Sequence, residues 1–374
     1  MADRRVAGRQ VQIVLVGGGH THALVLRHWD RDKTPDIGLT FVNPETTAPY
    51  TGMLPGHVAG HYPREALDID LVALARHAGA KLILNRATGI DAGARQLHLE
   101  CGAPVGFDLA SLNIGIRSTP ASADRFGPNA VAVKPLGPFA AAWRTFLEKR
   151  PEHPAIAVVG GGVGGAELAM AMAYRLGGAA RITLIEADEE ILRTESGSLR
   201  RAISRNLGRL GVTVRTGLRV ESGDEGGLHL PGGDRLPADF VALAAGAHPS
   251  GWIEGSDLAT ERGFVSVDEA LRSRSHPHIF AAGDIAHLTH APRPKAGVYA
   301  VREAPHLAAN LIAAACGESL RPYMPQGDYL RLVTLGTKRA MASKWGLTLG
   351  LPGLWHWKDR IDRSFMDGLK IVSE

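Results

Sequence analysis

The sequence predicts an α/β fold: two Rossmann-like domains on parallel sheets, the second inserted in the first, followed by a small C-terminal subdomain. Three observations predict it. A β-branched apolar strand running into a glycine-rich turn and a helix occurs twice. The same 26 residues separate the first glycine of each turn from the polar end of the next strand. A further short apolar strand ending in Gly283-Asp284 comes late in the chain, after the second copy.

The first copy opens with VQIVLV, Val11 to Val16, continuously apolar as expected of a parallel strand buried on both faces. GGGHTH follows, then the helical ALVLRHW, then the strand GLTFVN ending at Asn43. The second copy starts with AIAVV, Ala155 to Val159, and continues through GGGVGGAE, the helix LAMAMAYRL and the strand RITLIE ending at Glu186. Gly160, Gly162 and Gly165 fill all three positions of the G-x-G-x-x-G pattern, with Val163 and Gly164 between them.

The pattern is weak alone and specific in this context: after a strand, opening a helix, with a polar strand end where a ribose would lie. The first glycine permits the tight turn. The second lets backbone N–H groups reach a pyrophosphate, and the third lets helix and strand pack closely. The helix N-terminus adds partial positive charge. The first copy departs from the pattern. Gly17, Gly18 and Gly19 are present, but the third glycine is His22 and the acidic residue is Asn43, which meets a ribose with a neutral group. His20 and His22 form an H-x-H pair. They read as loop residues near a phosphate or packed beneath it rather than as metal ligands, and no metal site is predicted.

The late motif, SHPHIFAAGDIA from Ser275 to Ala286, supplies an Asp at a strand's carboxyl end that can bind a polyol hydroxyl. Gly283 leaves room beside it. With this motif the chain resembles the two-dinucleotide-domain flavoproteins: the pyridine-nucleotide-disulfide oxidoreductase fold and type II NADH dehydrogenases. In those families the first fingerprint binds FAD, the inserted second binds NAD(P)H, and the late A-G-D motif closes on the FAD ribityl chain. The stretches LASLNIGIRSTP, 109–120, and DFVALAAGAHPS, 239–250, match their strand endings. A narrower set resembles the flavoprotein module found free, or fused ahead of selenide, water dikinase, in bacteria: GGGHTH, PYTGMLPGHVAGHY, PRPKAGVYAVREAP and WKDRIDRSFM. That resemblance implies that His22 is the group's own variant of the loop.

The cofactors expected are FAD and NADH. For FAD, the expected binding residues are Gly17, Gly18, Gly19, His20, Thr21, Asn43, Pro44 and Ala87. The loop from Pro49 to Gly56, with Thr51, Gly52 and Met53, lines the other edge of the flavin, and Gly115, Gly283, Asp284, Lys295 and Ala296 complete the set. For NADH, they are Gly160, Gly162, Val163, Gly164, Gly165, Glu186 and Gly246. Glu186 can accept hydrogen bonds from ribose hydroxyls and would repel a 2′-phosphate, which favours NADH over NADPH. Hydride transfer requires the nicotinamide stacked on the flavin, so the protein's task is positioning and electrostatics. Lys295, beside the N-terminus of a long helix, is a candidate catalytic residue stabilising anionic reduced flavin. Glu167 is the second. The resembled families often bring an acidic residue here towards the nicotinamide.

Cys101 and Cys316 are the only cysteines, lie far apart and form no C-x-x-C or C-x4-C pair, so both read as structural. Electrons are therefore expected to leave directly to a diffusible acceptor such as a quinone. The C-terminal LTLGLPGLWHWKDRIDRSFMDGLK interleaves two tryptophans with basic residues, and Ile361, Phe365 and Leu369 share a helical face. An anionic membrane surface is one candidate partner for that face. Protein is the other and the preferred one: the FAD domain, or a second subunit in a homodimer.

Length and composition set the frame. A chain of 374 residues suggests two or three domains, and 45% hydrophobic with 21% charged residues is ordinary for globular chains. The net charge of +4 is too mild and dispersed for nucleic acid. No signal peptide or span of about 20 apolar residues is present, so a cytoplasmic location is expected, peripheral to the inner face of a membrane if the C-terminal helix docks there. The expected boundaries are 1–118 plus 246–325 for FAD, 119–245 for NADH and 326–374 for the C-terminal subdomain. Competing activities are a soluble reductase serving selenium metabolism and a flavin-based NADH sensor acting through a partner.

Overall fold

The computed structural model describes residues 10–118 and 123–371. The N-terminal MADRRVAGR and the end of the 109–120 stretch lie outside them. In chain order the main elements are β1 (Val11–Val16), α1 (His20–His28), β2 (Ile37–Asn43), α2 (Leu54–Val58), α3 (Leu71–His77), β3 (Lys81–Leu84) and β4 (Leu109–Leu112). There follow β5 (Ala130–Ala132), α4 (Leu136–Lys149), β6 (Ala155–Val159), α5 (Val163–Leu176), β7 (Arg181–Ile185), α6 (Gly197–Arg209), β8 (Thr213–Arg215) and β9 (Phe240–Leu243). The chain ends with β10 (Ile279–Ala281), α7 (Gly297–Cys316), β11 (Arg331–Leu335), β12 (Thr337–Lys344), β13 (Leu347–Leu349) and α8 (Leu354–Leu369).

Two five-stranded parallel sheets carry the architecture. The first has the order β10-β4-β1-β2-β3 and the second β5-β9-β6-β7-β8. Each is centred on the strand before a glycine loop, with the next two strands in sequence on one side and β4 with β10, or β9 with β5, on the other. β1 explains its own position: Ile13 to Val16 are fully enclosed, and burying each such side chain contributes roughly 1.5–3 kcal/mol. A strand without a polar face has to lie in the middle of a sheet covered on both sides.

The second sheet is formed by residues between β4 and β10 of the first, so it is inserted in sequence. The two connections between the sheets hold each other. Arg117 and His248 exchange backbone N–H···O bonds of 2.8 and 2.9 Å, and the Lys134 N–H donates to Ser118 Oγ at 3.1 Å. The sheets also share a core. Leu54, Val58 and Ala59 leave the first domain's neighbourhood and pack with Leu168, Ala169 and Met172 of α5.

β11, β12 and β13 form an antiparallel sheet that packs on α5 so closely that a side chain on Gly336 would meet the Met170 carbonyl at 2.3 Å. α8 then crosses to the first domain, where the Gly368 carbonyl accepts from Arg27 Nε at 2.9 Å. Its inward face differs from the stripe predicted by spacing. Trp355, Asp362, Met366 and Leu369 are buried, while Ile361 is 42% exposed. Trp355 stacks on Tyr62 and Asp362 bonds Tyr50, and these contacts turn Ile361 outward. No helix among the described residues is long and apolar enough to cross a membrane.

Candidate cofactor and electron-transfer site

Each glycine loop leaves the carboxyl end of the central strand of its sheet, beside the strand added from the opposite direction. That crevice is where open α/β sheets bind ligands. Gly17 has φ +90°, and a methyl group there would start 2.7 Å from the Asn113 carbonyl oxygen beyond β4. Gly160 has φ +113°, and a methyl group there would start 2.7 Å from Ala245 N beyond β9. A side chain on Gly165 would start 1.9 Å from the Gly160 carbonyl, so the third glycine of this loop is obligatory.

The first domain solves the same contact differently. His22 is fully buried beneath its loop. Its Nδ1 lies 2.8 Å from the Gly17 carbonyl and its Nε2 lies 2.8 Å from Ser111 Oγ. A carbonyl only accepts, so Nδ1 carries the proton and Nε2 accepts from the serine. Burial lowers the imidazole pKa to about 4, which keeps it neutral. His22 is thus a structural strut, and no cluster of metal-ligating side chains occurs among the described residues.

The two strand ends match in role. Asn43 Oδ1 accepts from the Gly18 N–H at 2.8 Å, and Glu186 Oε2 accepts from the Gly161 N–H at 2.6 Å. Both therefore tie the end of the second strand of their unit to its glycine loop. Pro44 follows exposed, and Ala87 opens the antiparallel ribbon beside Asn85, whose N–H donates to the Asn43 carbonyl at 3.1 Å. Glu186 Oε1 also accepts from the Asp188 N–H at 3.0 Å, and Asp188 and Glu190 pair with Arg193 and Arg200 beside it.

The helices α1, α5 and α7 begin without a capping side chain, on Gly19, Gly162 and Ala296. None carries an acid in its first turn. Their N–H groups and partial positive charge are available to anionic oxygens. Gly162 and Gly164 have open space where a side chain would stand, and Val163 is half-buried between them. Such cradles fit the pyrophosphates of two dinucleotides. Thr21 is the exception in its loop: its hydroxyl is buried and donates to the Ala300 carbonyl at 2.8 Å, tying α1 to α7. Gly115, φ +67°, and Gly246, φ +80°, lie just past β4 and β9, in the connections between the sheets.

The FAD-side residues converge on one point. A side chain on Gly297 would begin 3.6 Å from Thr51 Oγ1 and 3.7 Å from His20 Nδ1. Thus α1, the Thr51–Met53 loop and the start of α7 meet there, with Met53 buried behind and the Gly52 carbonyl turned towards α8. Desolvation lowers His20 to about 4 as well.

The lysine placed beside that helix by sequence points elsewhere. Lys295 Nζ donates to the Ala286 carbonyl at 2.6 Å and lies 4.0 Å from the centre of the Phe264 ring. Burial brings its pKa down to about 8. The lysine that reaches the Gly-Asp motif is Lys134, whose Nζ is 2.8 Å from Asp284 Oδ2. Beneath the motif the buried Glu303 accepts from the Gly283 N–H at 2.6 Å, and burial lifts its carboxyl to about 7. Glu167 is half-buried. Its Oε1 accepts from both the N–H and the hydroxyl of Thr334, at 2.7 and 2.8 Å, and desolvation raises its pKa.

Sequence reasoning missed Asn113, Lys134, Glu303, Lys358 and Asp362 as site residues, and placed Tyr50 only within the loop 49–56. Asn113 had a signal: it follows LASL as Ala244 follows FVAL. Its Oδ1 accepts from the His22 N–H at 3.2 Å and its Nδ2 donates to the Ala282 carbonyl at 2.7 Å, bracing three strand ends. Cys101 and Cys316 are exposed, one in the 96–106 ribbon and one at the end of α7.

Comparison with known proteins agrees with this construction. The family described as pyridine nucleotide-disulphide oxidoreductase matches residues 11–304. The ferredoxin–NAD(+) reductase component of the p-cumate 2,3-dioxygenase system of Pseudomonas putida is 31% identical over 290 residues, 74% of this chain and 67% of that one. The demethylphylloquinone reductase NdbB of Synechocystis is 31% identical over 206 residues, 53% of this chain and 50% of that one. This chain spans about half the length of several other curated relatives too. NDH2 of Plasmodium falciparum, solved with NADH, shares the fold with a TM-score of 0.81 at 14% identity, covering 96% of this chain and 97% of that one. The chain therefore belongs to the pyridine nucleotide-disulphide oxidoreductase family, and is an oxidoreductase that uses FAD and NAD(P)H.

Proposed function

We propose that this chain oxidises NADH and passes two electrons to a diffusible quinone. The observation that carries this reading is the shared core between the two domains. α2 packs on α5, so the Thr51–Met53 loop of the FAD side and the glycine-loop helix of the NADH side are held against each other. FAD bound there would take the hydride from the nicotinamide and hold the electrons for the acceptor.

The chain's own residues have distinct tasks in this reading. Gly17 to Gly19 and Gly160 to Gly165 hold the two pyrophosphates. Asn43 and Glu186 receive the riboses, and the carboxylate of Glu186 selects NADH. Asp284 holds the polyol chain. Glu167 orients the nicotinamide side, and the N-terminus of α7 favours the reduced cofactor.

Two observations support a lipophilic acceptor. The quinone reductase NdbB is a relative. The β12–β13 turn and the start of α8 expose Trp345, Leu347, Leu349, Leu351, Trp357 and Ile361 together, with Lys344 over the Trp345 ring. Exposed apolar residues in such number, with cations among them, suit the surface of an anionic bilayer where quinones dissolve. A protein acceptor is the second reading, favoured by the P. putida ferredoxin–NAD(+) reductase.

The test is an anaerobic titration of the FAD-loaded protein with NADH and then NADPH, followed by a soluble quinone or a ferredoxin. Bleaching by NADH and rapid recolouring by quinone is the expected result. Recolouring only by ferredoxin would move the assignment to the second reading. A reduced protein that keeps its electrons against both would point to a sensor.

A further inference from the structure

We propose that Asp362, together with Tyr50 and Lys358, delivers to the electron acceptor the proton that NADH does not supply. This rests on the quinone reading above. The stoichiometry creates the need: NADH + H⁺ + quinone → NAD⁺ + quinol. NADH provides both electrons and one proton. The second comes from solvent and has to cross a wall of protein.

α8 places a charge pair inside that wall. Lys358 Nζ and Asp362 Oδ2 are paired, with side chains 13% and 5% exposed. A buried ion pair gains little stability over apolar packing, because desolvating two ions offsets their attraction. A core helix face would be served better by leucines. The pair also has defined partners on the FAD side. Lys358 Nζ donates to the Gly52 carbonyl at 2.8 Å, and Asp362 Oδ1 accepts from the Tyr50 hydroxyl at 3.1 Å.

The inner end of this network reaches the convergence point described above. The Tyr50 ring stacks on Phe365 at 4.7 Å and meets His20 edge-on at 5.4 Å. His20 and Thr51 in turn face the start of α7. The outer end reaches solvent along the same helix. Asp359 lies one turn earlier, accepts from the Tyr62 hydroxyl at 2.7 Å, and pairs with the exposed Arg363.

The groups facing Asp362 are Lys358 and Asp359 on its own helix, Tyr50 from the loop and Glu167 from α5, with His20 beyond the Tyr50 ring. Burial raises the Asp362 pKa, so the carboxyl is more readily protonated than a surface aspartate. In the step itself, the Tyr50 O–H bond breaks as its proton passes to the acceptor oxygen, and Asp362 restores that proton to Tyr50 from the Lys358 ammonium with which it is paired. The acceptor oxygen forms a new O–H bond as the electrons arrive. Lys358, whose side chain keeps 13% of its surface exposed, is then reprotonated from solvent.

The test compares quinone with ferricyanide, which takes electrons without protons. Full-length, FAD-loaded Asp362→Asn, Asp362→Glu and Tyr50→Phe proteins are assayed with NADH and each acceptor. Asp362→Asn is expected to lower the quinone-to-ferricyanide rate ratio at least tenfold, Tyr50→Phe several-fold, and Asp362→Glu to restore most of it. Independently of turnover, reduced-minus-oxidised infrared difference spectra should contain a protonated carboxyl band that Asp362→Asn removes. An unchanged ratio, or an equal loss with both acceptors, overturns the relay while leaving the quinone reading intact. Failure of the unmodified protein with every quinone overturns that reading and the relay with it.

Discussion

Lys134 Nζ lies 2.8 Å from Asp284 Oδ2, so a lysine from the connection into the second domain neutralises the carboxylate that ends the Gly-Asp motif of the first. The pair is mostly enclosed, with the Asp284 side chain 17% exposed. Lys134→Met leaves that carboxylate without its partner, a cost of about 1–3 kcal/mol. Adding Asp284→Asn should recover part of the loss, since the buried charge is gone. The same double variant should bind FAD at least tenfold more weakly than the unmodified chain. Thermal unfolding and flavin fluorescence titration of the four proteins check both outcomes.

Two glycines of the second loop separate folding from ligand binding. Gly165→Ala drives a methyl group against the Gly160 carbonyl and should destabilise the second domain by several kcal/mol, on the order of other overpacking changes. Gly162→Ala meets nothing within 4 Å. It should leave the thermal midpoint within about 1 °C, because surface changes usually stay within ±0.5 kcal/mol. Yet its methyl occupies the space intended for the pyrophosphate, so bleaching by NADH should require at least tenfold more nucleotide. Normal NADH affinity in Gly162→Ala would show that the phosphates bind elsewhere.

Glu186 holds the Gly161 and Asp188 N–H groups at the end of β7, while Asp188 and Glu190 are paired with Arg193 and Arg200. A 2′-phosphate arriving there meets like charge, and tenfold discrimination needs only about 1.4 kcal/mol. NADH should therefore reduce the protein at least ten times more efficiently than NADPH. Glu186→Gln should remove most of that preference, since Asp188 and Glu190 are already paired with arginines. Stopped-flow reduction with each nucleotide measures this, and an NADPH preference in the unmodified protein would refute it.

His22 should make stability depend on pH. Its ring is held near pKa 4 by burial, against about 6.5 when unfolded. Between those values the unfolded chain binds a proton that the folded chain does not. Stability is complete above about pH 6.5 and falls as pH drops towards 4, by about 3 kcal/mol from this residue. His20 shifts in the same direction. Urea unfolding of the apoprotein at pH 7.5, 6 and 5 should show the decline, and His22→Gln should flatten part of it. An equal slope in both proteins would mean that His22 is not the titrating group.

The exposed turn between β12 and β13 should decide lipid binding. Replacing Trp345, Leu347 and Leu349 by serine should reduce cosedimentation with anionic vesicles several-fold while the NADH-dependent bleaching persists. Neutral vesicles should bind less, because Lys344 and its neighbours lose their counter-charge. Equal binding by the triple variant would leave the C-terminal surface without this role.

Much of the fold was legible because local backbone chemistry demands particular residues. Gly17 and Gly160 must adopt positive φ beside a neighbouring strand, so the two loops announce themselves wherever the chain is read. The enclosed run Ile13 to Val16 likewise has one sensible place, the centre of a covered sheet. Glu186 and Asn43 follow from a fixed distance along one βαβ unit. Other features were out of reach, because they depend on where long side chains meet across hundreds of residues. Lys295 was read correctly as standing beside the start of α7. Yet four rotatable bonds let its ammonium turn to the Ala286 carbonyl and the Phe264 ring. Lys134 acquired Asp284 only once the two connections between the sheets had been tied together. The inward face of α8 was decided by packing too. Ile361, Phe365 and Leu369 make a plausible stripe on an isolated helix, but Trp355 against Tyr62 and Asp362 against Tyr50 set the rotation. Sequence determined where the nucleotide cradles stand, since steric limits on the backbone act locally. Tertiary structure decided which charged side chains face them, since the burial and pairing of a charge depend on every element around it.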